Sequence, residues 1–307
     1  MQSEMIKFLL ILFGFLRFIP LPVLRLLGTF LGSLLWTFAS RRKHIARTNL
    51  SLCFPYLDLQ KRESLAKQNF ILVVQSLLDR SWIWHSSESK VRSRLKLSGD
   101  PHAIELIKAQ HKITLNPLEQ QTQEPLVIFA PHFVGLDAGW SALALESSKE
   151  LLTIFTQQSS SDMDLWVFKG RARFGRVKLF RKVQGVSEIV RALNKGAALY
   201  LLPDMDFGEK DTLFVPFFGN QAATVTSLSR FAKISDAKVV SVISKLTPWG
   251  YEIQVSSVWS DFPTSDLRVD TGRMNQELQS LINQMPQQYY WVHRRFKTRP
   301  KGELSVY

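Results

Sequence analysis

Leu126-Val127-Ile128-Phe129-Ala130, running straight into Pro131-His132-Phe133-Val134-Gly135-Leu136-Asp137, is the stretch on which the fold reading turns. A short apolar run of this kind reads as a buried strand, and the place to look for a ligand is beyond a strand's carboxyl end. A histidine directly after the strand, with a carboxylate five residues on, therefore marks a candidate site. If a helix begins near Leu136, Asp137 can reach back to the imidazole. It would fix the tautomer and stabilise the imidazolium formed when His132 takes a proton. Gly135 suits a tight turn there. The pattern is weak alone, because a satisfied loop pair has the same spacing.

Working outward, the same rhythm repeats. Further strands are expected at Leu151–Phe155, Val177–Phe180, Ala198–Leu202, Lys238–Ser244 and Tyr251–Ser257. Helices are expected near Ala138–Leu145, Asp162–Arg173, Val186–Asn194, Thr224–Ile234 and Thr271–Gln284. Strands alternating with helix-length segments predict an α/β fold, a mixed central sheet flanked by helices. Upstream, Leu65, Phe70, Val73, Val74, Leu77, Leu78 and Trp82 recur at mostly helical spacing from Asp58 onward. Ser86–Lys96 reads as a polar stretch, and residues 97–124 as a connecting helix and loop. No internal repeat and no long Pro/Gly/Ser linker divides the chain.

The amino terminus differs. Phe8–Leu16 is uncharged and apolar, Arg17, Pro20 and Pro22 interrupt it, and a second uncharged run covers Leu26–Ser40. Neither run reaches the roughly 18 to 20 apolar residues of a clean membrane span. Arg41, Arg42, Lys43 and Arg47 follow the second run closely, which fits poorly with a cleaved signal peptide. The expectation is an N-terminal membrane-associated helical segment over residues 1–40, its basic cluster on anionic headgroups, with a catalytic domain over 41–307. A buried or partner-docking helix is the alternative reading. A tilted span with Arg17 or Arg25 snorkelling is another.

Composition narrows the function. The 307 residues are 45% apolar and 21% charged, which excludes disorder as the main state. One cysteine, Cys53, leaves no intrachain disulfide and no cysteine-built zinc site. The six histidines show no metal-ligand spacing, so no metal and no other cofactor are expected. A net charge of +13 draws the chain toward something anionic. Lys169, Arg171, Arg173, Arg176, Lys178, Arg181 and Lys182 concentrate it, either as a solvated face or as a site for phosphate or carboxylate. No aromatic ladder or nucleic-acid module accompanies the cluster, so nucleic acid is not an expected partner. There is no Gly-x-Ser-x-Gly elbow, so a covalent acyl-enzyme has no obvious carrier, whereas direct transfer needs only a base. Leu201-Leu202-Pro203-Asp204-Met205-Asp206-Phe207-Gly208 brings two acids to another strand end, and Phe214–Gly219 reads as an aromatic loop. Thr224 or Thr226 is expected to cap the following helix.

Taken in order, these residues resemble the lipid A biosynthesis late acyltransferases of Gram-negative bacteria, the lauroyl/myristoyl type. The resemblance runs from the apolar amino terminus through Arg47-Thr48-Asn49-Leu50 and Cys53-Phe54-Pro55 to Ala130-Pro131-His132 with Asp137. It continues through Arg171-Ala172-Arg173-Phe174-Gly175, Leu202-Pro203-Asp204 and Val215–Gly219, and ends in Tyr290–Pro300. It implies an O-acyltransferase on the cytoplasmic face of the inner membrane. The acyl donor would be acyl carrier protein, and the acceptor a hydroxyl of an anionic, Kdo-bearing lipid A precursor. By the same resemblance His132 is the general base, Asp137 orients it, and Arg171 or Arg173 together with Asp204 lie near the substrate. Many relatives carry glutamate where this chain has Asp137. An acyltransferase of the same fold with another lipid acceptor, or a non-catalytic lipid-binding protein, are the competing readings.

Overall fold

The computed structural model describes residues 2–109, 124–181 and 185–307. Helices α1 (Gln2–Phe15), α2 (Leu21–Phe38), α3 (Ser40–Cys53), α4 (Leu59–His85) and α5 (Glu88–Arg92) precede strand β1 (Leu95–Gly99) and helix α6 (Pro101–Lys108). The alternating part is β2 (Leu126–Phe129), α7 (Leu136–Glu146), β3 (Leu151–Phe155), α8 (Ser161–Arg171), β4 (Val177–Arg181), α9 (Val186–Leu193) and β5 (Ala198–Leu201). A hairpin of β6 (Thr212–Phe217) and β7 (Asn220–Val225) follows. The chain then runs through α10 (Ser227–Ile234), β8 (Lys238–Thr247), β9 (Gly250–Val255) and α11 (Leu267–Gln284).

Seven strands form one sheet in the order β1-β9-β8-β2-β5-β3-β4, and β6 pairs only with β7. Strands β8, β2, β5, β3 and β4 are parallel, and β9 is antiparallel to β8, so the sheet is mixed. Strand alternation splits the core into two layers. Val127 and Phe129 of β2 face one layer, with Ile189 of α9, Phe231 of α10 and Leu278 of α11. Leu126 and Ile128 face the other, with Leu143 of α7, Val167 of α8 and Ile107 of α6. That two-sided burial is why β2 is apolar at every position.

Three segments depart from the sequence expectation. β1 lies inside what reads as connection, because an edge strand paired only with β9 needs few apolar side chains. The aromatic loop at Phe214–Gly219 belongs to the β6–β7 hairpin, and β7 takes the residues from which the next helix was expected to start. Thr224 is therefore buried in a strand, and Thr226 precedes α10 without a side-chain cap bond. The connecting loop expected up to residue 124 lies largely outside the described residues, as do His111 and Lys182.

At the amino terminus, α2 starts earlier than the uncharged run, taking in Arg25, and its 18 residues are long and apolar enough to cross a membrane. Arg25 does not snorkel. It ion-pairs with Asp79 of α4, whose carboxylate also accepts from Tyr251 Oη at 2.6 Å and Trp82 Nε1 at 2.9 Å. Arg17 instead donates to the His85 carbonyl at 2.7 Å. Leu21, Leu24, Gly28 and Gly32 form the face of α2 turned inward. A Cβ on Gly32 would stand 2.6 Å from the Ile71 Cα of α4, so glycine is what lets the two helices meet. The remaining face leaves Leu26, Phe30 and Phe38 exposed, as α1 leaves Phe8, Ile11 and Phe15. This is an apolar surface far beyond the scattered residues of an ordinary soluble exterior.

Candidate active site

β2 and β5 are neighbours in register, Phe129 opposite Leu201. Three residues past each of these positions come His132 and Asp204, so the pairing that builds the sheet also brings this histidine and this acid together. His132 Nδ1 and Asp204 Oδ1 are 2.7 Å apart. Asp204 Oδ2 accepts from the His132 backbone N–H at 2.9 Å and from Tyr289 Oη at 3.1 Å. Asp204 is fully buried. Burial opposes its charge, but the His132 imidazole and the hydrogen bonds from that residue's ring and backbone prevail, holding the carboxyl below the usual carboxylate range. An ionised Asp204 accepts from Nδ1–H, which leaves the Nε2 lone pair of a neutral imidazole free. His132 lines a cavity of about 960 Å³ that collects at the carboxyl ends of β2, β3 and β5, where the sheet topology puts ligands.

The carboxylate on the imidazole is thus Asp204 rather than Asp137. Helix α7 does begin at Leu136, but it carries Asp137 toward α4 and α8. There Arg80 Nε donates to Oδ2 and Arg171 Nε to Oδ1, each at 2.8 Å. Asp137 is 7% exposed. Burial pushes its carboxyl up, but Arg171 and then Arg80 outweigh it and hold it at about 2. Gly135 has a negative φ of −85°, so the turn does not require glycine. Space does: a Cβ there would lie 2.7 Å from the Tyr251 ring and 2.8 Å from Ser244 Cβ.

Of the two candidate arginines, Arg171 lines the cavity and Arg173 does not. Arg173 donates to the carbonyls of Ile83, at 2.8 Å, and Ser86, closing the carboxyl end of α4. Arg80 and Tyr289 belong to the site although the sequence reading singled out neither. The pair Asp79-Arg80, set in the otherwise buried stripe of α4, was a readable sign, since charges there need partners. Tyr289 carried none.

The carboxyl-terminal segment braces the histidine. Tyr290 N–H donates to the His132 carbonyl at 2.9 Å, and Val134 N–H to the Gln288 carbonyl at 2.8 Å. Asn69 and Asn49, both fully buried, hold carbonyls of this segment, Tyr289 at 2.5 Å and Trp291 at 2.7 Å respectively. His293 Nε2 accepts from the Asp206 N–H at 3.1 Å. Burial and then the nearby His132 push the His293 imidazole down to about 4. Asp206, the second acid of its loop, accepts from Thr298 N–H at 2.6 Å and so ties the tail to that loop.

Comparison of the sequence with known proteins supplies the family. Residues 1–298 match the family model described as bacterial lipid A biosynthesis acyltransferase. The chain is 30% identical over 292 residues to the lipid A biosynthesis palmitoleoyltransferase of Escherichia coli K12, covering 94% of this chain and 90% of that one. It is 29% identical to the lauroyltransferase of the same strain with the same coverage. It is 28% identical to the myristoyltransferase, over 93% of this chain and 83% of that one. A histidine and acid meeting at the strand ends of an α/β sheet, beside a large cavity, and a match over nearly the whole length lead to one assignment: the chain belongs to the bacterial lipid A biosynthesis acyltransferase family.

Proposed function

We propose that this chain transfers a fatty acyl group from acyl carrier protein to a hydroxyl of a Kdo-bearing lipid A precursor, at the cytoplasmic face of the inner membrane. The observation that carries the reading is His132 on the cavity wall with the buried Asp204 behind it, 2.7 Å from Nδ1. His132 Nε2 takes the proton of the acceptor hydroxyl as that oxygen attacks the thioester carbonyl carbon. Asp204 keeps the proton on Nδ1 and stabilises the imidazolium. The tetrahedral intermediate collapses with cleavage of the C–S bond, and the carrier's thiolate leaves with the proton from Nε2. No acyl-enzyme forms.

Stabilisation of the oxyanion falls to the turn after His132. Phe133, Val134 and Leu136 N–H groups donate to the carbonyls of Pro131, Gln288 and Phe133. The Gly135 N–H has no acceptor among the described residues and Gly135 lines the cavity, so this N–H is the donor assigned to the developing charge. Phe155, Val186, Phe207, Phe231 and Ile234 give the cavity an apolar wall suited to an acyl chain. The apolar faces of α1 and α2 support residence at the bilayer, and the net charge of +13 suits an anionic acceptor and an anionic carrier.

The test is acyl transfer from acyl carrier protein to a Kdo-bearing, tetra-acylated precursor. His132→Ala is expected to slow it by roughly 10²- to 10⁴-fold, the usual share of a general base. Near-normal transfer by the folded variant defeats the mechanism. A wild type active only on a different lipid hydroxyl defeats the acceptor assignment.

A further inference from the structure

We propose that Arg80 and Arg171, set side by side by Asp137, form a clamp for a phosphate group on the cavity wall. Asp137 is then a positioning residue of that clamp rather than of His132. The inference rests on the acyltransferase reading above and deepens it by naming the substrate group that the cavity grips.

Three observations carry it. The first is geometry. Arg80 meets Asp137 Oδ2 through Nε at 2.8 Å and Nη2 at 2.7 Å, and Arg171 meets Oδ1 through Nε at 2.8 Å. Both carboxylate oxygens are thus occupied. Nη1 of Arg80 and both terminal nitrogens of Arg171 make no hydrogen bond to any described residue. The second is burial. The Asp137 side chain is 8% exposed, while Arg80 and Arg171 are 24% and 19% exposed and both line the cavity. The carboxylate is thus the most covered of the three groups, and the two arginines with unused donors are the more open ones on a wall that all three share. The third is charge. Two guanidinium groups against one carboxylate that stays ionised at any working pH leave one positive charge in a partly desolvated wall.

The clamp is also held rigid. Arg80 lies over the Trp84 ring at 5.1 Å, and the Arg171 carbonyl accepts from Trp140 Nε1 at 2.7 Å. Paired planar forks with free terminal N–H groups match the oxygens of a phosphate, which arginine binds bidentately. Two phosphates can reach this cavity under the proposed reaction. One is on the acceptor, which the family resemblance implies to be a phosphorylated glucosamine disaccharide, and the other is the phosphodiester of the carrier's pantetheine arm.

The experiment compares wild type with Arg80→Gln, both full-length in detergent. In the first arm, thermal stabilisation by inorganic phosphate is measured against chloride at equal ionic strength. The apparent Kd for phosphate is expected to rise at least tenfold in Arg80→Gln. In the second arm, steady-state kinetics use a diphosphorylated acceptor and one enzymatically stripped of phosphate. The variant is expected to raise KM for the phosphorylated acceptor at least tenfold, with kcat within threefold and an unchanged pH profile. The gap between variant and wild type should shrink at least fivefold on the stripped acceptor. A rise confined to the KM of acyl carrier protein also supports the clamp, with the carrier's phosphodiester as its ligand.

Equal phosphate stabilisation of both proteins, with a fall in kcat and no selective change in either KM, overturns it. If Arg80→Gln does not fold, Arg80→Lys keeps the charge without the fork, and at least a threefold rise in the same KM is required. Should the wild type transfer no acyl group and yet bind phosphate through Arg80, the proposed function fails while the clamp stands.

Discussion

Asp137 lines the cavity and Asp204 is buried behind His132, and because the two acids hold different residues their variants should separate. Asp204→Asn removes the acceptor that keeps the proton on Nδ1 and favours the wrong imidazole tautomer, so kcat is expected to fall roughly 10³-fold or more with KM little changed. Asp137→Asn loosens two arginines instead, so its effect is expected mainly in KM, without a shift of the kcat–pH profile. Matched pH–rate profiles of the two variants check this, and a shifted profile for Asp137→Asn contradicts it. His293 gives a prediction for stability. Its imidazole titrates near 6.5 when unfolded and is held at about 4 in the fold, where it faces His132, Asp204, Asp206 and Arg295. Between those values the unfolded chain binds the extra proton, so stability rises with pH across the window and is lost as pH falls toward 4. The gap corresponds to roughly 3 kcal/mol at most. Thermal unfolding between pH 7 and 4.5 should be less steeply pH-dependent for His293→Gln, whose amide oxygen can still accept from Asp206. Parallel curves would show that His293 is not the titrating group.

At the scale of elements, glycine positions predict opposite signs for one substitution. Gly32→Ala sets a methyl 2.6 Å from backbone of α4, which cannot yield as a flexible side chain would, so about 1–3 kcal/mol is lost and Tm falls. Gly272→Ala in α11 meets nothing within 4 Å and is expected to stabilise by up to about 1 kcal/mol through helix propensity. Thermal melts of both in detergent check the pair, and a stabilised Gly32→Ala would mean that α2 does not pack closely on α4. The same contrast of local and distant causes explains what could be read from the sequence. β2, β3, β5 and most helices were legible because two-sided burial writes itself as apolar runs and helical spacing. β1 was not, since an edge strand containing Lys96 and Ser98 carries no such signature. Of the site, His132 could be read from its place after β2. Its link to Asp204, 72 residues away, depends on which strands pair, and that of Arg80 to Asp137, 57 residues away, on how α4 crosses α7. Local spacing favoured the nearer acid, and the sheet register decided otherwise.

For the whole molecule, the outward face of α1 and α2 and the basic start of α3 should divide membrane binding into two separable parts. Arg41 is exposed and, unlike Arg42, which donates to the Val292 carbonyl, makes no hydrogen bond to a described residue. A basic side chain near an anionic surface contributes about 1 kcal/mol, so Arg41→Gln is expected to weaken partition to phosphatidylglycerol-containing vesicles about fivefold. That effect should fade as salt shortens the Debye length below about 8 Å, and should be absent on neutral vesicles. Phe30 and Phe38, 65% and 74% exposed, act through the other part. Burying such a side chain stabilises by about 1.5–3 kcal/mol, so Phe30→Ser is expected to weaken partition at least tenfold, equally on neutral and anionic vesicles and at any salt. Vesicle sedimentation of the three proteins at low and high salt reads both terms. If Phe30→Ser binds as tightly as wild type while still folded, the exposed face of α2 is not what meets the bilayer, and residence of the cavity at the membrane would need another explanation. If both variants shift as expected, the same helix that holds the chain at the lipid by its outward face also fixes α4 through the pairing of its inward-turned Arg25 with Asp79. That places Arg80 and the His132 cavity in a fixed relation to the bilayer from which an acylated acceptor would come.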